Sequence, residues 1–359
     1  TSFKSFEKTA GNQIMSLFML VSTCLENECF VFIFKCLSPI TLSFDAMSIA
    51  VFSLVSVLGV LGNGVVIWVT GFKMNKTVNT VWYLNLAVAD FLVAAFLPFD
   101  VTFLALGSHW PFGNFMCKLS TTLISLNMFV SVYILLVISV DRCVSVVWPV
   151  WAQNYRNVRK SSHVSLCVWI LALILNAPYL YFMDTEQHSG DKIICFDTLF
   201  DYNIRFQAIV ITNFLLGFAV PFTVIVSCYG VIIHHVRRNR NLASQSSRAF
   251  KIIAAIIICF FVCWAPFHII GLIELVIFTA DTESKTLLHI IDIGIPLSNN
   301  LAVLNSCMNP LLYVFIRQDF KDEVRKSILK SMETAFDEEK THQTDIYQFI
   351  IIMMLLSLN

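Results

Sequence analysis

Residues 116–143, MCKLSTTLISLNMFVSVYILLVISVDRC, decide how the chain is read. Between Lys118 and Asp141 there is no acidic or basic side chain. At the helical rise these 22 residues extend roughly 33 Å, enough to cross a bilayer with some tilt. Ser125, Asn127, Ser131 and Tyr133 are scattered along the stretch instead of gathered on one face. Lipid offers these groups no partners, so the segment reads as a span packed on nearly every side by other spans, the central post of a bundle.

The composition agrees. Hydrophobic residues make up 57% of the 359 and charged residues only 13%, with a mean hydropathy of +0.75. That is far outside the soluble range and indicates an all-α polytopic membrane protein, with one domain because no Gly/Ser or Pro linker divides it. Most of the 11 cysteines sit inside apolar runs, where a thiol behaves as a small hydrophobe. No zinc-type Cys/His spacing, phosphate loop, activated nucleophile or paired catalytic carboxylate occurs, so an enzyme is not expected. Nor is a nucleic-acid partner.

Apolar runs of spanning length fall at 46–72, 81–105, 117–141, 163–182, 206–233, 250–278 and 287–316. These seven make a transmembrane helix bundle over 46–316. Residues 1–45 fit poorly: Glu26, Glu28 and Lys35 break their apolar stretch into pieces below spanning length. They read as an uncleaved signal-like segment, an interfacial helix, or sequence outside the working protein. Residues 317–330, RQDFKDEVRKSILK, place Phe320, Val324, Ile328 and Leu329 at helical spacing among basic residues. This predicts an amphipathic helix on the inner leaflet, its membrane-lipid partner, before a cytoplasmic tail at 331–359.

Charge sets the expected orientation. Lys73, Lys76, Arg142, Arg156, Arg159, Lys160, Arg237, Arg238, Arg240, Arg248 and Lys251 fall in alternate connections. The others carry Asp184, Glu186, Asp191, Asp197, Asp201, Asp281 and Glu283. The positive-inside bias puts the N-terminus outside and the C-terminus in the cytoplasm.

Several residues stand out from this apolar background. Asp90 is an ionisable group inside a span and therefore a functional candidate. Asn127 and Ser131, and Asn305 and Asn309, are i, i+4 pairs that put oxygens on one face of their helices. With Asp90 they are an oxygen set for a small hard cation such as sodium, the other reading being a buried proton. Cys117 and Cys195 face the oxidising side, where a disulfide is expected over two free thiols. Asp141-Arg142 lies at the inner boundary, read either as a snorkelling anchor or as an arginine held by its neighbour and released when the bundle opens. Pro221, Pro266 and Pro310 sit within spans and remove backbone donors there, as hinges between two packings would.

Taken in order, Gly62-Asn63, Leu86 to Asp90, Asp141-Arg142, Trp169, Cys263-Trp264-Ala265-Pro266 and Asn309-Pro310-Leu311-Leu312-Tyr313 resemble the rhodopsin-like (class A) G-protein-coupled receptors over about residues 46–330. Within that family the chain resembles the formyl peptide receptors, and among them a chemosensory relative rather than a leukocyte chemotaxis receptor. Four stretches carry the likeness: LGVLGNGVVIWVTGFKMNKTVNTVWYLNLAVADF (58–91), HWPFGNFMCKL (109–119), DRCVSVVWPVWAQN (141–154) and NSCMNPLLYVFIRQDF (305–320). The resemblance implies a plasma-membrane receptor in which an extracellular peptide acts through Trp264 and Pro266, the sixth span swings outward, and Arg142 meets an inhibitory-class heterotrimeric G protein. Asp141, Pro310 and Tyr313 belong to the same switch. It also implies a sodium pocket at Asp90, Asn127, Ser131, Asn305 and Asn309 as an allosteric modulator, no other cofactor, and receptor kinases and arrestin acting on Ser327, Ser331, Thr334, Thr341 and Thr344.

The chain departs from that pattern where ligands bind. An aspartate of the third span and two arginines of the fifth fall on Ser125, Ile209 and Asn213. Asp100 stands where the family places an aromatic, while Met128, Trp264, Phe267 and His268 keep a largely apolar floor. The expectation is a weak response to formyl peptides and a preference of Asp100 for a cationic group, unless that carboxylate faces headgroup water. Two other classes stay open: an ion-coupled transporter, which inverted repeats would mark and none is seen, and a non-signalling or defective receptor product. Epitope tags inserted in the acidic connections should be reached by antibody on intact cells. Staining only after permeabilisation would reverse the orientation.

Overall fold

The computed structural model describes residues 41–188, 192–197, 203–238, 243–280 and 285–316. Residues 1–40, the helix expected at 317–330 and the tail at 331–359 lie outside them. All seven spans are helical: α1 (Thr41–Trp68), α2 (Val78–Ala105), α3 (Gly113–Val147), α5 (Val158–Phe182), the fifth span as α6 (Asn203–Phe214) and α7 (Val220–Arg238), α8 (Ala243–Ala280) and α9 (Lys285–Ile316). The first six spans are long and apolar enough to cross a membrane.

The helix ends follow local chemistry. Thr77 and Thr80 cap α2 reciprocally, Thr77 Oγ1 accepting from Thr80 N at 3.2 Å and Thr80 Oγ1 from Thr77 N at 2.8 Å. Asn157 Oδ1 accepts from Lys160 N at 2.9 Å at the start of α5. The third span does not stop at Asp141-Arg142 but runs to Val147. Those charges end the apolar run without breaking the backbone ladder, which Trp148-Pro149 does. Pro149 then opens a short helix that the sequence did not announce, α4 (Pro149–Tyr155). The sixth span likewise begins at Ala243, earlier than its apolar run.

Pro221 acts through the turn before it. Leu215–Ala219 is a π turn in which Val220 N donates to Leu215 O. The wider turn relieves the clash between the proline ring and the carbonyl four residues back. The π turn brings Gly217 against the third span: a Cβ there would lie 2.9 Å from Met128 Cε. Pro98, Pro178, Pro266, Pro296 and Pro310 are also carried within helices.

The acidic connection after α5 is not a plain loop. Met183–His188 (β1) and Lys192–Asp197 (β2) form an antiparallel hairpin with Thr185 opposite Cys195. In the sequence Ser189-Gly190-Asp191, a turn composition, separates the two short runs.

The third span is the post: Phe129, Val130, Val132 and Ile134 are wholly buried in it, whereas the fourth span exposes Leu166, Ile170 and Ile174 and the fifth Leu215, Val220 and Val226. Phe129, Ile134, Leu135 and Ile138 meet Leu86, Phe260 and Trp264 in the main core. Spans one, two and seven approach through small residues. A Cβ on Gly59 would lie 2.7 Å from Ala94 Cβ, and one on Gly62 2.9 Å from Pro310 Cβ. Gly230, exposed on α7, has open space instead. The same substitution should therefore have opposite signs. Gly59→Ala forces two helices apart and lowers the melting temperature, a loss of about 1–3 kcal/mol, whereas Gly230→Ala raises it through helix propensity. Melting curves of the two variants in one detergent check both.

Candidate ligand and signalling site

At one end of the bundle the hairpin is fastened across the second and third spans. Cys117 and Cys195 are bonded, so the reading as two free thiols falls away. Trp110 N donates to Ile193 O at 2.8 Å, Ile193 N donates to His109 Nδ1 at 3.1 Å, and Lys192 Nζ donates to Gly107 O at 3.0 Å. Asn114 Nδ2 donates to Asp184 Oδ1. Beneath the hairpin, Phe99, Trp110 and Phe112 stack edge to face, with centroids 4.8 Å and 5.3 Å apart.

Asp100 is half-buried. Its carboxylate turns toward the third span, where Ser120 Oγ lies 3.3 Å from Oδ1 and 3.2 Å from Oδ2. Asn213 Nδ2 donates to Tyr179 Oη at 2.6 Å, linking the fourth and fifth spans, and Ile209 is half-buried one helical turn before it. Ser125 Oγ is buried with no hydrogen-bond partner among the described residues.

Deeper in the bundle, Met128 and Trp264 are buried and Trp264 meets Phe267 edge to face at 5.7 Å. His268, placed on the ligand side from sequence, is packed among the rings of Phe214, Phe218 and Phe267 between spans five and six. Its surroundings are those of a core side chain.

At mid-bundle Asp90 is fully buried. Asn127 Nδ2 donates to Oδ1 at 2.8 Å and Asn309 Nδ2 to Oδ2 at 2.7 Å. Asn63, which the sequence marked only through the family motif, donates to Gly59 O at 2.9 Å and to Ser306 O at 2.8 Å. Ser131 Oγ, both polar atoms of Asn305 and Asn309 Oδ1 are buried without hydrogen-bond partners among the described residues. Buried orphan oxygens beside a carboxylate suit a hard cation with its own waters. No cluster of three His, Cys, Asp or Glu able to hold a metal occurs among the described residues, which leaves a soft-metal site without donors.

At the opposite end the expected arrangement is revised. Asp141 is bound chiefly by Arg156 after α4, Nε donating to Oδ1 at 2.8 Å, while Arg142 Nη2 lies 3.7 Å from Oδ2. Asn79, in the first turn of α2, accepts from both guanidinium groups: from Arg156 Nη2 at 2.7 Å and from Arg142 Nη2. Sequence reading missed Asn79 altogether and counted Arg156 only toward orientation. Their partners are 63 and 77 positions apart and leave no periodic trace. Pro310 is buried against Gly62, and the Tyr313 side chain lies outside the described residues.

The family model described as 7 transmembrane receptor (rhodopsin family) matches residues 62–313, more than half of the chain. Chemerin-like receptor 1 of Rattus norvegicus is 44% identical over 82% of each chain. The C3a anaphylatoxin chemotactic receptor of Oncorhynchus mykiss is 41% identical over 84% of this chain and 82% of its own. Formyl peptide receptor 2 of Mus musculus is 40% identical, over 83% and 88%. The formyl peptide subgroup is therefore not singled out. Of the stretches that carried that likeness, three build spans and the connections at the Arg142 end, and 109–119 packs against the hairpin.

Asn79→Ala removes the acceptor shared by two guanidinium groups and should cost about 1–2 kcal/mol, charged hydrogen bonds discounted for partial exposure. Asn79→Asp should gain stability instead. Melting temperatures of purified receptor that move the same way for both variants would contradict the shared-acceptor reading.

Proposed function

Because the chain belongs to the rhodopsin family of seven-transmembrane receptors, and is thus a receptor and not an enzyme, we propose that it senses an extracellular peptide at the hairpin end and passes the signal to an inhibitory-class heterotrimeric G protein at the Arg142 end. The observation that carries this is the Asp90 network. It is a fully buried polar junction of spans two, three and seven, set between a covalently tethered mouth and an arginine held only by reversible bonds. The relatives' names, chemerin-like, C3a anaphylatoxin chemotactic and formyl peptide, support a chemoattractant peptide as ligand. The basic connections support the hairpin end as outside and the plasma membrane as the working location.

In the proposed cycle the ligand enters beneath the hairpin and shifts Trp264. The sixth span turns at Pro266 and swings away from the third. Arg142 leaves Asn79 and meets the G protein. Asp90, Asn127, Ser131, Asn305 and Asn309 would hold sodium in the resting packing; the ion neutralises the carboxylate and so favours the state that keeps these oxygens together. Tail hydroxyls at 327–344, once phosphorylated by receptor kinases, supply the charge that arrestin reads.

Guanine-nucleotide exchange in membranes holding the full-length receptor and an inhibitory-class α subunit tests this. Chemerin or C3a peptides should drive exchange, formylated peptides weakly because Ser125, Ile209 and Asn213 lack the charges noted above. Replacing choline chloride with sodium chloride should lower basal exchange in wild type and leave Asp90→Asn unmoved. A receptor that reaches the surface yet promotes no exchange with any of these ligands would leave the non-signalling reading.

A further inference from the structure

Asp100 carries a half-buried carboxylate that no charged group among the described residues answers. Both carboxylate oxygens share one donor, the Ser120 hydroxyl, which gives its proton to only one of them at a time. Ser120 is 4% exposed, and no lysine, arginine or histidine lies within ion-pair distance of Asp100 among the described residues. His109, the nearest base in sequence, accepts at Nδ1 from Ile193 N, and Lys118, two residues before Ser120, points about 200° around the same helix. Lys192, on the hairpin above, donates to Gly107 O. A half-buried carboxylate with one neutral donor is an unfavourable arrangement unless something outside the chain completes it.

The place fits such a completion. Ser120 follows Cys117 by one turn of α3, so the carboxylate lies just below the disulfide that tethers the hairpin. Phe99, next to Asp100, belongs to the edge-to-face wall with Phe112 and Trp110. The strand above carries Asp184 and Glu186. A cation approaching through this mouth meets acidic groups first, then an aromatic wall, then one desolvated carboxylate.

We propose that Asp100, oriented by Ser120, is the specificity-determining seat for a cationic group of the ligand, a guanidinium or ammonium borne next to an aromatic or aliphatic side chain. The proposal rests on the receptor reading above for the mouth being the ligand's way in. It requires no particular G protein. The guanidinium would supply two donors to the two oxygens, a bidentate match that a carboxylate between helices accepts and a formyl group does not make.

A capture experiment separates this from signalling. A randomised heptapeptide library is panned in parallel on purified full-length receptor and its Asp100→Asn variant in nanodiscs, and the captured pools are sequenced. Wild type should enrich arginine or lysine at one position about tenfold over Asp100→Asn, the ratio of one charge-assisted hydrogen bond. Ser120→Ala should keep the preference for a cation and lose part of its strength. Asp100→Asn should melt no lower than wild type, since it removes an unanswered charge. Equal enrichment of bases by wild type and Asp100→Asn would overturn the proposal, as would enrichment of acids by wild type. Asp100→Ser serves in the same comparison if Asp100→Asn does not fold. A receptor that shows the enrichment but no nucleotide exchange would contradict the signalling reading alone.

Discussion

A carboxylate inside an apolar bundle must be given its donors from within the protein, and Asp90 takes one from each of two other spans. Asn127 of the third and Asn309 of the seventh close on its two oxygens from different sides. Each donor is on a different helix, so turning any one by a single residue, about 100°, would leave a desolvated oxygen without a partner. An orphaned buried acceptor costs about 1–3 kcal/mol, against about 0.1–0.2 kcal/mol for one carbon–carbon contact. Apolar packing sets how close the spans lie, and the polar junction sets how they are rotated. Asn63 extends the same device to the first span through the Ser306 and Gly59 carbonyls.

The two ends of the bundle are held by bonds of different kinds. At the hairpin end a covalent link is reinforced by backbone bonds from Trp110 and Ile193. At the other end Asp141, Arg156, Arg142 and Asn79 form a set of charged hydrogen bonds, with the Arg142 and Arg156 side chains partly open to solvent. Such bonds exchange with water at small net cost, whereas the disulfide opens only by chemistry. Helices fixed at one end and loosely held at the other move by pivoting, and the pivot falls where backbone bonds are already missing. Pro266 in the sixth span and the π turn before Pro221 in the fifth are such places.

Much of this was legible in the sequence because lipid is an unforgiving solvent. Seven spans, Asp90 and its asparagine partners, and the two loop-side cysteines all stand out as departures from, or lengths of, apolar sequence. Helix extents were less legible: charge at Asp141-Arg142 marks the membrane boundary, while the backbone continues to Trp148. The hairpin was hidden by its length, six residues per strand. The Asn79 contacts and the Asn213–Tyr179 bond join residues far apart in the chain, and no periodicity reports such pairs. Asp100 was visible as an acid near the end of a span, but its direction was not, because that depends on the rotation that Asp90 imposes on the same helix.

That dependence separates what builds the receptor from what tunes it. Asp100 follows Asp90 by ten residues, nearly three turns, on α2. Fixing the first therefore aims the second into the bundle, although Pro98 sits between them. The core has no use for a charge at Asp100, just as it has no use for a particular side chain at half-buried Ile209 or at Asn213, which hydrogen-bonds to Tyr179 across the fourth and fifth spans. Packing constrains the glycines, the asparagines and the apolar faces, and leaves the mouth free to vary. A half-buried carboxylate whose one donor among the described residues is neutral is the kind of group that packing alone would remove, so its presence beneath the tethered hairpin is best explained by a partner that arrives from outside the chain.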